Sequence, residues 1–303
     1  MRGFFSQRFA AGFLGCVGGG VLAVFSAGAQ AGFVIDGEAT AVYDSNVSRA
    51  ERDRDILKDE SMFGSVSLAW RGQPGNTTAV SVRGFVEGEA YNEITTLGRV
   101  SAGGQAVLRW QPVLGFMQPV YQFSATAQLD DYNVDQRDSM VYTVQAFASQ
   151  RVNDRIMASY GLEGVLRESD GTVFDTSNGR AFLSLDFSLS KTWSAYGAYS
   201  FLYGNTFSSA QIAFCDGTPA GDIFPLIQAS EAIEKDAAFN SKFCGTWVAY
   251  RLDATTNSLT LGLNKAFNHS LSADFSVQGV DVHAEGDNNY QRMLVRAGLL
   301  ARF

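Results

Sequence analysis

The 303-residue chain carries 23 basic and 31 acidic side chains, a net charge of −8. An acidic chain repels nucleic acid and anionic surfaces, and no basic patch with interleaved aromatics argues for a nucleic-acid partner. Past residue 31 no apolar run approaches the roughly eighteen residues of a spanning helix, so only alternating strands, which hide their apolar content, could cross a membrane.

Residues 1–31 have the layout of a secretory signal peptide. Arg2 and Arg8 supply a positive start, residues 9–25 are apolar and uncharged, and Ala29-Gln30-Ala31 is a small-x-small cleavage pattern. The expected mature chain, 32–303, has no Pro/Gly/Ser-rich linker and reads as one domain. Without Arg2 and Arg8 it has 21 basic against 31 acidic residues, a net charge near −10.

The mature chain repeats one unit. Phe33, Ile35, Ala39, Ala41 and Tyr43 alternate with Asp36, Glu38 and Thr40, which is the period-two pattern of a strand with one apolar face. After the charged stretch 44–61, Val66, Leu68 and Trp70 share a face. A Gly72-Gln73-Pro74-Gly75-Asn76 turn then leads to Val80, Val82 and Val86, opposed by Ser81, Arg83, Glu87 and Glu89. Alternating segments follow over 100–110, with Arg109 on the polar side, and over 118–129 and 140–150. Further segments cover 156–167, which carries Glu163, then 180–190, which carries Asp186, and 193–203. Residues 246–267 read as one long strand whose upper half projects beyond the others, 271–282 carries Asp274, and 290–303 closes the series. This gives an even count of about twelve strands, with ten to fourteen allowed by a misread loop.

In the last segment Met293, Val295, Ala297, Leu299, Ala301 and Phe303 occupy one face, and Arg292, Arg296 and Arg302 the other. This stretch, ending on an aromatic, resembles the C-terminal signature of Gram-negative outer-membrane β-barrel proteins, in which Val295, Leu299 and Phe303 would form the barrel-closing signal read by the assembly machinery. The stretch Tyr43-Asp44-Ser45-Asn46-Val47-Ser48-Arg49 is similar to one after the first strand in several porin-like barrels. The resemblance implies an all-β, single, antiparallel up-and-down transmembrane barrel in the outer membrane. Its short turns would be periplasmic and its long loops extracellular, in contact with lipid and lipopolysaccharide.

Long and short connections do alternate, as an outer-membrane barrel requires. Phe33, Trp70, Trp110, Tyr121, Trp193, Phe267 and Phe303 fall at the short-turn ends, and Tyr43, Tyr142, Tyr203, Trp247 and Tyr250 near the other ends, as two interfacial belts. The longest loop, 204–245, holds the two mature cysteines, Cys215 and Cys244. An oxidising compartment favours a bridge between them. The mixed segment 224–239 suggests a short helix within a lid that covers the mouth or enters the lumen. The charged run 49–60 reads as a solvated loop facing lipopolysaccharide phosphates or divalent cations.

Enzyme chemistry finds little support. His269 falls in a short periplasmic turn, away from the outer rim, and His283, near an outer strand end, has no motif-like serine beside it. Two cysteines and two histidines at these spacings make no metal site, and no cofactor motif is present. The side chains expected to face the lumen are Asp36, Glu38, Arg83, Glu87, Glu89, Arg109, Glu163, Asp186, Asp274, Arg292 and Arg296. They suit passive transport of small hydrophilic solutes or ions, with the acidic excess leaning toward cations. The alternative is a non-conducting barrel that serves as a structural or export partner at the cell surface.

Overall fold

The alternation resolves into one antiparallel sheet in the computed structural model, which describes residues 32–303; the signal-peptide reading of 1–31 lies outside the described residues. Its strands are β1 (Gly32–Asp44), β2 (Asp59–Gly75), β3 (Thr78–Tyr91), β4 (Arg99–Trp110), β5 (Val120–Tyr132), β6 (Ser139–Arg151) and β7 (Ile156–Ser169). They continue as β8 (Thr176–Ser188), β9 (Trp193–Ala213), β10 (Ala232–Lys235), β11 (Thr246–Ala266), β12 (Leu271–Ala284) and β13 (Asn289–Arg302). Two short helices, α1 (Phe224–Ala229) and α2 (Ala237–Asn240), lie between β9 and β11.

Each wall strand pairs with the next, β13 pairs with β1 through Ala39↔Leu299, and β9 pairs with β11 through Leu259↔Tyr199. The ring therefore closes as a twelve-stranded barrel, with β10 a short appendage on β11. Phe303 seals the β1 seam by exchanging backbone hydrogen bonds with Ile35 at 2.9 and 3.1 Å. Closure pairs the edges of the twelve wall strands, the condition for a sheet to cross hydrocarbon.

Period two then sorts the side chains. The outer face presents Val66 (62% exposed), Leu162 (65%) and Leu261 (59%), with Val82, Phe123, Phe275 and Leu299 also exposed. An apolar band of this extent is incompatible with water and matches lipid. At the short-turn end Phe33, Trp70, Trp110, Trp193, Phe267 and Phe303 are exposed on this outer face, and the Lys265 ammonium lies 4.8 Å from the Trp193 ring centre. Among the described residues no helix is long and apolar enough to cross a membrane, which says nothing of the strands.

The inner face is packed by aromatics that lie over glycines in register. Phe147 opposes Gly161 and Tyr196 opposes Gly262. A Cβ at Gly161 would stand 2.3 Å from Phe147 Cβ, and one at Gly262 would stand 2.2 Å from the Tyr196 ring. Only glycine lets these rings lie flat against the wall.

The loop end departs from the expected plan. β9 and β11 run for 21 residues each, so β9 continues to Ala213 instead of stopping at Tyr203. Gly204, with φ 143°, lies close against the backbone of Ser177 and Asn178, and beyond it β9 leaves β8 and stays paired with β11 alone. Beyond it Trp247, Val248, Ala249 and Tyr250 are all buried, at 2%, 3%, 0% and 1% exposure. Four consecutive buried residues break the period of two, because both faces of the upper hairpin are covered by protein. Trp247 and Tyr250 are thus not part of an outer belt, where only Tyr142 and Tyr203 of the expected set are well exposed.

Candidate functional site

All eleven side chains expected to face inward lie on the face opposite the exposed apolar row. They form a distributed lining and are not gathered at one point. Asp36 binds Arg302 at 2.7 Å, Glu38 accepts from Thr40 at 2.8 Å, and Glu163 accepts from Arg180 at 2.8 Å and Gln145 at 3.1 Å. Glu89 meets Arg99 at 3.3 Å, and Arg99 continues through Asp130 (3.3 Å) to Arg167 (3.0 Å), which makes a relay across β3, β4, β5 and β7. Glu87 faces inward one step below Glu89. Asp274 accepts from Tyr196 at 2.9 Å and Asn264 at 3.2 Å, Arg296 donates to Gln278 at 3.1 Å, and Asp186 lies 3.5 Å from Ser184. Arg83 stacks 5.4 Å from its neighbour Phe85. With Arg71 and Arg109 it makes a basic patch on β2–β4, since Ala69↔Arg83, Arg71↔Ser81 and Ala79↔Arg109 are in register.

The lining therefore alternates in sign and includes Arg71, Arg99, Arg167 and Arg180, which are outside the expected set, as well as Arg302, which the terminal strand already placed on this face. Their strand parity was the signal that could have found them. Arg180 shares its face with Ser184 and Asp186, while Arg99 and Arg167 lie at or near the ends of β4 and β7, where the period is hardest to read. The acidic surplus of the whole chain does not extend to this inner face, so the lean toward cations loses its basis.

The mouth is closed by the segment between β9 and β11. A disulfide joins Cys215 to Cys244, across a sequence separation of 29 and with Cα atoms 5.1 Å apart, at the base of the lid. From there the lid reaches loops on every side. Asp222 takes hydrogen bonds from Arg52 (2.8 Å) and Arg54 (2.7 Å) in the β1–β2 loop, and Phe239 with Trp247 packs on Ile94 and Leu97 in the β3–β4 loop. Asp236 accepts from Arg137 at 2.9 Å in the β5–β6 loop and from Ser209 at 2.6 Å, while Glu234 accepts from Thr172 at 2.6 Å in the β7–β8 loop. Leu226 and Ala229 of α1 lie against Gly286 in the β12–β13 loop. The β3–β4 and β5–β6 loops stand across the ring from β9 and β11, so the segment spans the opening. It contains the expected helix, α1, and it lies over the mouth. The guanidinium groups of Arg54 and then Arg52 hold the Asp222 carboxyl far below the usual carboxylate range.

The first loop is also folded inward. Asp44 takes the Arg292 guanidinium as a buried fork, with Nε 2.8 Å from both oxygens. Asn46 accepts from Ala50 N at 3.0 Å and donates to the carbonyls of Ala50 (2.8 Å) and Gln291 (3.2 Å), and Ser48 donates to the Asp55 carbonyl at 2.7 Å. Asp44, Asn46, Ser48 and Asp55 are buried, and burial pushes the Asp55 carboxyl up. Asp44 and Asn46 thus tie the start of the loop to β13. Within the expected solvated run 49–60, Asp53, Arg54, Lys58 and Glu60 are exposed, whereas Asp55 and Asp59 are buried and Arg52 and Arg54 point to Asp222.

His283 sits on the outer face at the loop end, with Nε2 2.8 Å from Asp281 and Nδ1 3.2 Å from Asn289. Both ring nitrogens meet acceptor groups, not a hydroxyl.

The sequence matches no family model and no curated protein. Among solved structures the chain is similar to the COG4313 outer membrane channel from Pseudomonas putida F1, with a TM-score of 0.58 at 13% identity over 90% of this chain and 96% of that one. Looser likenesses, at 10% identity, are to the KdgM porin (TM-score 0.40, 89% and 99% covered) and to outer membrane phospholipase A from Escherichia coli (0.44, 88% and 89%). At such identity the first likeness speaks to the fold alone, and the two looser ones carry no weight. The class the architecture defines is the transmembrane β-barrel: closed, antiparallel, apolar outside and charged within.

Proposed function

We propose that the protein is a porin-like channel of the Gram-negative outer membrane, through which small hydrophilic solutes or ions diffuse passively beneath a movable lid. One observation carries the reading: a twelve-stranded ring, apolar outside, is lined inside by fixed charges of both signs. About twelve strands leave room for a narrow pore. Opposed acidic and basic groups set a transverse field that favours polar solutes over apolar ones of the same size. Asp36, Glu38, Arg83, Glu87, Glu89, Arg109, Glu163, Asp186, Asp274, Arg292 and Arg296 are the lining in this reading.

Residues 1–31 would direct export, and Val295, Leu299 and Phe303 would present the closing strand to the assembly machinery. Lipopolysaccharide would surround the loop end. No hydrolytic role is proposed, because His283 pairs with Asp281 and Asn289 and no serine hydroxyl is bonded to it. The lid's grip on the other loops favours one second reading, a non-conducting barrel with a structural or export role. Planar-bilayer recording separates the two. A channel gives discrete conductance steps that become more frequent when the Cys215–Cys244 bridge is reduced, whereas a membrane silent under both conditions overturns the channel.

A further inference from the structure

Beneath the lid the interior keeps a cavity of about 100 Å3, whose lining includes Arg49, Arg137, Arg167, Arg180, Phe174 and Phe207. A water needs roughly 10–15 Å3 measured in this way, so the space admits a small organic ion. Glu163 is the one carboxylate in that lining. Three of the arginines already have carboxylates: Arg167 at 3.0 Å from Asp130, Arg180 at 2.8 Å from Glu163 and Arg137 at 2.9 Å from Asp236.

Arg49 is placed differently. Its guanidinium carbon lies 4.1 Å from the centre of the Phe207 ring, and that ring in turn meets Phe174 edge-on at 5.0 Å. The nearby carboxylate of Asp44 is occupied by Arg292. Arg49 is held there by its backbone, with φ 57° and its N–H on the Asn46 carbonyl at 3.2 Å, a left-handed conformation that a non-glycine residue adopts only when its surroundings impose it. Burial, with the like charges of Arg292 and Arg137, draws its pKa down to about 10, so it remains a cation at neutral pH. A guanidinium stacked on a ring by its face keeps its N–H edge for an anion.

The geometry points to a binding site for a small organic anion with a flat apolar body, an aromatic monocarboxylate being the simplest. The carboxylate would take the N–H edge of Arg49, and the ring would pack beside Phe207 and Phe174. The site deepens the channel reading and rests on it for the route by which the solute arrives. It also assigns the preferred solutes a negative sign, opposite to that suggested by the net charge of the chain.

Calorimetric titration of the detergent-solubilised protein with benzoate, acetate and benzylammonium tests the site. The expected result is saturable benzoate binding, acetate weaker by at least about tenfold for want of a ring, and no binding of benzylammonium. Arg49→Gln is expected to weaken benzoate by about tenfold or more, as loss of a charge-assisted contact requires, with the mobility of the folded barrel unchanged. Arg49→Lys keeps the charge without the flat fork and is expected to fall between the two. Should Arg49→Gln not assemble, Arg49→Lys and the ligand series on the unaltered protein still decide the question. Failure of benzoate to saturate, equal binding of benzylammonium, or full benzoate affinity in Arg49→Gln would overturn the site. Titration reads binding without conduction. Saturable benzoate binding by a protein that never conducts would remove the channel and leave the site, whereas conduction without benzoate binding would remove the site and leave the channel.

Discussion

The barrel wall and the lid are made from the same ribbon, β9 paired with β11, and they obey opposite rules. In the wall β11 exposes Leu259, Leu261 and Leu263 and hides Ser258, Thr260 and Asn264. In the lid it hides Trp247, Val248, Ala249 and Tyr250 in succession. The wall has lipid on one side and the lumen on the other, so alternation is the only stable pattern. The lid has protein on both sides, so each residue is free to be apolar, and side-chain contacts take over from the continuous ladder. Stability is therefore held in two separate stores: closure of the ring for the wall, and loop contacts with one disulfide for the lid.

The buried fork between Asp44 and Arg292 ties β1 to β13 at the loop end of the wall, and breaking it has the largest expected effect. Asp44→Ala strands a buried guanidinium, which should cost about 3–5 kcal/mol in denaturant unfolding, whereas Asp44→Ala with Arg292→Leu should recover much of that loss. Cys215→Ser with Cys244→Ser sharpens the contrast. For a separation of 29 residues the chain-entropy model gives about 3–4 kcal/mol, and the loss should fall on the lid alone. Hydrogen exchange should rise over 214–245 and stay slow over 258–264.

Leu261 and Phe224 offer a matched pair, exposed to 59% in the wall and 53% in the lid. Leu261→Arg should destabilise the protein in bilayers by about 2–4 kcal/mol, because the new charge meets hydrocarbon. Phe224→Arg should stay within about 0.5 kcal/mol, because it meets water. The smallest effect concerns acid. The Asp222 carboxyl is held below its unfolded value, so its contribution to the lid is present above about pH 4 and is lost as the pH falls through the lowered value. Its exposure to solvent keeps that contribution small. Exchange over 214–245 should accordingly be unchanged between pH 7 and pH 5 and should quicken only in stronger acid.

The wall was legible in the sequence because hydrocarbon enforces the period of two. The inner-face parity of residues such as Glu163 and Asp274 followed from it, whereas the even strand count and the continuous β11 also needed the alternation of long and short connections. The mouth was not legible. Trp247 and Tyr250 have the composition of an interfacial belt, and nothing local shows that β9 leaves β8 at Gly204 and that the lid brings protein to both their faces. The polar run from Asp44 to Asp55 looks hydrated for the same reason, since its partners Arg292 and Gln291 stand at the far end of the chain. The two cysteines were readable as a bridge from the oxidising compartment that an exported chain enters, whereas Arg49 over Phe207 depends on a loop backbone that no period describes.

A channel beneath a separable lid is tested most directly by removing the lid. Residues 216–243 would be replaced by a short flexible linker, and the trimmed and full-length proteins compared for solute flux in liposomes. The trimmed barrel should retain the mobility of a folded barrel and pass small solutes steadily, while the full-length protein passes them slowly and intermittently. A folded, trimmed barrel that leaves the liposomes sealed would contradict the channel.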